Sequence, residues 1–144
     1  MKRVSFGCLF TFALAVSLAA QATTTPKAAI GSDAEYATHM KEIGQLNGML
    51  NKSLKGGDTG EAAKAASRLE VLFKNVHGYW NEKKVEDATM AAQTAVTALQ
   101  GVQKAIAAND MAAAQTARAS FAGTCMACHK EHREKLPEGG FRIK

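Results

Sequence analysis

Four apolar stripes at spacings of three and four residues, divided by short polar breaks, constrain the fold of this 144-residue chain more than any other feature. Residues three or four apart share one face of a helix, whereas a half-buried strand needs strict alternation. The first stripe is Tyr36, Met40, Ile43, Leu46, Leu50 and Leu54, and the second is Ala62, Ala65, Leu69, Leu72, Phe73 and Val76, running on to Tyr79-Trp80. The third is Val85, Ala88, Ala92, Ala95, Leu99, Val102 and Ile106, and the fourth is Met111, Ala114, Ala117, Phe121, Cys125 and Cys128. The breaks carry helix punctuation. Ser32-Asp33-Ala34-Glu35 has the pattern of a capping box, Lys55-Gly56-Gly57 stops the first helix, and Asp58-Thr59-Gly60-Glu61 starts the second. Asn109 and Asp110 offer caps for the fourth helix, which is expected to run to about Lys135 before Pro137 and Gly139-Gly140 end it. Connections this short force neighbours to run antiparallel, and a first helix of about 22 residues would span roughly 33 Å. An Ala-rich composition with two prolines agrees. The expected fold is all-α, an antiparallel up-down-up-down four-helix bundle.

The chain opens on Met1-Lys2-Arg3 and a largely apolar run from Val4 to Ala20, ending in Ala20-Gln21-Ala22. A positive end, an apolar stretch and small residues two apart read as a secretory signal peptide cleaved after Ala22; an uncleaved anchor is the alternative, but the apolar run barely reaches spanning length. The expected organisation is a signal peptide at 1–22, a flexible linker at 23–31, a four-helix domain at 32–136 and a loose tail at 137–144, from which Phe141 and Ile143 can tuck against the bundle. The mature chain, 23–144, is one domain by size. Losing Lys2 and Arg3 from 18 basic residues leaves 16 against 13 acidic, a net of +3, which does not suggest nucleic acid as a partner.

Cleavage also removes Cys8, so Cys125 and Cys128 are the only thiols of the mature chain. With His129 they occupy positions i, i+3 and i+4 of a helix and project from neighbouring points on one face. Cys125-Met126-Ala127-Cys128-His129 is a C-x-x-C-H pattern, read as c-type haem attachment. Two thiols a turn apart can form thioethers with the two vinyl groups on one haem edge, while the imidazole reaches the iron axially. A dithiol redox centre or half a zinc site are the alternatives. The first normally opens a helix in a βαβ context that this chain lacks, and the second has no further ligand pair at plausible spacing.

An export signal, four expected helices and C-x-x-C-H on the last of them resemble the class II c-type cytochromes, the cytochromes c′ and their low-spin, methionine-ligated relatives. Met40-Lys41-Glu42-Ile43-Gly44 resembles the M-K-x-x-G segment of that family. The resemblance implies one covalent haem c held by Cys125 and Cys128, His129 as proximal ligand and Met40 as candidate distal ligand, with Gly44 leaving room for the macrocycle. It places Arg133 near the haem, at the basic position four residues after the ligating histidine. His132 stands where many relatives have an aromatic residue. Relatives are often homodimers through their first two helices, which the residues here neither require nor exclude.

Read without the family, Met40 is most simply a core methionine on an apolar stripe. His39 is its chemical rival, about 100° around the helix. Phe121, Tyr79 and Trp80 can wall a haem pocket or serve as ordinary core aromatics, and His77 takes no role. Lys130, Arg133, Lys135, Arg142 and Lys144 make the motif end basic, a solvated surface or a dock for an acidic redox partner. No catalytic constellation accompanies the motif, so the expectation is not an enzyme but a periplasmic electron carrier serving redox partner proteins, free of the membrane after cleavage. The alternative is a five-coordinate, cytochrome c′-like protein that binds nitric oxide or carbon monoxide. A non-haem helical module using the cysteine pair alone is the third reading.

Overall fold

A computed structural model of the protein describes residues 29–144, so the expected signal peptide and most of the expected linker lie outside the described residues. Four helices follow one another: α1 (Asp33–Gly56), α2 (Thr59–Glu82), α3 (Glu86–Ala107) and α4 (Met111–His132). The caps at Ser32, Gly57, Asp58 and Asp110 form as the punctuation predicts. Ser32 Oγ accepts from the Glu35 amide at 3.2 Å, and Glu35 reaches back to the Gly31 amide at 2.6 Å. Asp58 and Asp110 cap α2 and α4 at 3.0 and 2.9 Å, and Gly57 ends α1 in the left-handed region at φ 73°.

Sequential helices pack antiparallel, in the arrangement of a four-helix bundle. Tyr36 meets Trp80 and Glu42 pairs with Arg68, so α1 and α2 run in opposite directions, as do α3 and α4, where Asp87 meets His132 and Gly101 lies against Ala117. The α2 stripe is wholly buried, and the α3 stripe is buried apart from half-covered Val85. Packing is extensive between α1 and α2, α2 and α3, and α3 and α4, but slight between α1 and α4. The fourth seam of the bundle is open.

Three expectations are corrected. First, α4 ends at His132 rather than near Lys135, because Arg133 turns extended (φ −123°, ψ 132°) and begins a strand. Second, the tail is not loose: β1 (Arg133–Lys135) pairs antiparallel with β2 (Phe141–Ile143), Arg133 opposite Ile143 and Lys135 opposite Phe141. Third, the end of the expected linker is anchored, since Ile30 is buried in the core at 1% exposure. Burying so large an aliphatic side chain is worth about 2 kcal/mol. Among the described residues, no helix is long and apolar enough to cross a membrane.

Candidate functional site

The stripe residues left incompletely buried lie mainly on the two helices that border the open seam. On α1 they are Met40 and Leu46, and on α4 they are Met111, Ala117, Cys125 and Cys128, with only Ala114 and Phe121 of the fourth stripe buried. Of these, Met40, Cys125 and Cys128 border a cleft. Here an inner cavity of about 100 Å³ adjoins an outer cleft of about 750 Å³, the second within the size range of small-molecule and cofactor sites. Tyr36, Met40 and Gly44 from α1 and Cys128 and His129 from α4 line both, and Cys125 lines the inner one. The structure therefore brings the C-x-x-C-H motif and the Met40-to-Gly44 segment to opposite sides of one space.

Each group arrives in a usable chemical state. Both cysteines are free thiols. Burial, and then the neighbouring Cys128, push the Cys125 thiol up to about 11, while burial and the Asp87 carboxylate raise that of Cys128. Reactive dithiol centres depend on the reverse, a thiolate stabilised at a helix N-terminus or beside cations. Burial, and then the Arg133 guanidinium, hold the His129 imidazole below its usual pKa, which favours the neutral form whose lone pair can coordinate. Beyond its chain neighbours and the adjacent backbone of its own helix, nothing lies within 4 Å of where a Cβ at Gly44 would stand. A glycine inside a helix costs about 1 kcal/mol relative to alanine, and no protein group claims the space this one leaves. Two thiols a turn apart, an imidazole biased towards its neutral form, a thioether across the seam and an open apolar cradle fit a haem. Among the described residues, no group of three or more His, Cys, Asp or Glu side chains is gathered to hold a metal ion by itself.

The surroundings answer the open alternatives at His39 and the aromatics and depart from expectation at Arg133. His39 lines neither cavity, and its Nδ1 lies 2.9 Å from the Glu35 carbonyl of its own helix. Tyr79, Trp80 and Phe121 stand one layer back and do not wall the cleft: Trp80 Nε1 donates to Tyr36 Oη at 3.1 Å, and Phe121 packs edge-on against Phe73, which does line the inner cavity. His132, in place of an aromatic, lies 5.2 Å from the Trp80 ring and bonds Asp87 at 2.7 Å, tying the end of α4 to the start of α3. Arg133 lines the outer cleft, but from β1 instead of from α4, with its guanidinium 4.0 Å over the Phe141 ring. On α4, two turns before Cys125, Arg118 donates to Asn47 of α1 at 3.1 Å, and its Nε is the one buried side-chain nitrogen or oxygen among the described residues that lacks a partner. Sequence reasoning gave Tyr36 and Phe73 no part in the site, although Tyr36 precedes Met40 by one turn on the same stripe. It also gave none to the β2 residues Phe141 and Ile143, whose strand carries no periodic signal. No protein-family model, curated protein or solved structure matches the chain.

Proposed function

We propose that this chain is a periplasmic c-type cytochrome that carries single electrons between redox partner proteins, with one covalent haem c. The observation that carries the reading is the open α1/α4 seam, with Cys128 and His129 on one side and Met40 and Gly44 on the other. Cys125 and Cys128 would hold the group through thioethers, and His129 would offer its imidazole to the iron. Bound there, haem supplies one-electron exchange between ferrous and ferric iron. Met40 would complete the shell from α1, a soft ligand that raises the potential. Tyr36, Phe73 and Val76 keep the inner side apolar, which limits water at the site. The raised thiol pKa values count against a dithiol redox module. Ferrous and ferric spectra of the purified protein test this reading.

A six-coordinate, low-spin protein that takes up carbon monoxide slowly or incompletely is expected, and Met40→Ala should convert it to rapid, complete binding. A five-coordinate, high-spin ferrous protein would move the assignment to the gas-binding alternative. Protein made in a host with haem-attachment machinery, yet without covalent haem, would sink both.

A further inference from the structure

The C-terminal hairpin is a wall of the outer cleft that neither the attachment motif nor the four helices require. It is tied to the end of α4 by Lys144, whose backbone amide donates to the His132 carbonyl at 3.1 Å and whose Nζ donates to the Lys130 carbonyl at 2.9 Å. Arg142 Nε donates to Glu134 across the strands at 2.7 Å. Its turn uses Gly139 and Gly140 at φ 98° and 83°, a conformation that side chains other than glycine's rarely adopt. Opposed residues of an antiparallel pair point to the same face, as do residues two apart on one strand. Arg133, Phe141 and Ile143 therefore share a face, and Ile143 packs against the core, so that face is the inner one. Phe141 nonetheless remains 53% exposed while lining the cleft. An aromatic ring that lines a cleft and is covered by protein only where Arg133 lies over it leaves apolar surface open to a ligand. Arg133 over its ring adds a cation–π contact that fixes its orientation.

We propose that Phe141 is a haem-contacting residue, that the hairpin is a strap closing the cleft over the group held at Cys125, Cys128 and His129, and that Arg133 is the positioning residue for Phe141. This rests on the haem reading above. It gives Arg133 a different part from the one the family resemblance implies: it acts through the ring it covers and not by its charge at the haem. Apolar cover disfavours the more highly charged ferric state, so removing it lowers the reduction potential.

The experiment uses the full-length, haem-bearing protein, with covalent haem verified first from its spectrum. Phe141→Ala should lower the potential and Phe141→Leu should largely keep it. Arg133→Gln should lower it in the otherwise unchanged protein and have no further effect alongside Phe141→Ala. In the unmodified oxidised protein, the Phe141 ring resonances should be shifted and broadened by the paramagnetic iron, a measurement that needs no variant to fold. Sharp, unshifted Phe141 signals, or an Arg133→Gln shift of equal size in both backgrounds, would overturn the proposal while leaving the haem reading intact. Absence of covalent haem would overturn both at the first step.

Discussion

Glu70 is the most heavily bonded carboxylate of the helical core, and it shows how single residues set the pH range of the fold. Its oxygens accept from Lys74 at 2.8 Å on its own helix and from Gln100 and Gln103 on α3 at 3.0 and 2.7 Å, with the side chain only 15% exposed. Lys74, and then the two glutamines, hold its pKa down to about 2 from an ordinary 4.5. The folded chain therefore keeps this carboxylate ionised where the unfolded chain would protonate it. The stabilisation is complete above pH 4.5 and drains away as the pH falls towards 2. Glu70→Gln is expected to cost about 2 kcal/mol at pH 7, the scale of hydrogen bonds to a charged group. Urea unfolding followed across pH should show the difference narrowing below pH 4.5, and a constant difference down to pH 2 would refute the assignment.

At the scale of elements, the joints between helices are where local chemistry decides most. Only Gly57 and Asp58 separate α1 from α2: Gly57 takes the left-handed turn, and Asp58 caps the next helix through the Glu61 amide. Asp58→Ala should lower stability by about 1 kcal/mol through the lost cap. Gly57→Ala should cost a comparable amount through strain at φ 73°. Thermal unfolding by circular dichroism measures both, and a neutral Asp58→Ala would show that the cap contributes nothing. These joints and the α2 and α3 stripes were legible because capping residues and a 3.6-residue period act locally. The end of α4 was not. Pro137 and Gly139-Gly140 signal a stop equally well as a hairpin turn, and strands of three residues have no period to read. Cys125, Cys128, His129 and Met40 could be named from the motif and the stripes, whereas the cleft between them could not, because periodicity says which face is apolar and not what covers it.

For the whole molecule the open seam is the governing fact, since three sides of the bundle are packed and the fourth borders a cleft of about 750 Å³. Apolar surface left facing water forgoes about 25 cal/mol per Å², and Met40, Cys125 and Cys128 are the half-buried stripe residues that line the cleft. A covalent group in the seam would bury that surface and couple α1 to α4, which otherwise share little more than the Arg118–Asn47 bond and the contact of β2 with α1. A Cys125→Ser, Cys128→Ser chain, unable to hold haem covalently, is therefore expected to keep its helices but unfold on the order of 10 °C lower, about 2–3 kcal/mol at roughly 4 °C per kcal/mol. The loss should also be uneven. Hydrogen exchange should quicken most in the first half of α1 and the last turns of α4, and least in the α2/α3 pair, whose packing does not depend on the seam. If the two chains unfolded together, with uniform protection, the seam would be stable as it stands and no haem would be needed to complete the bundle.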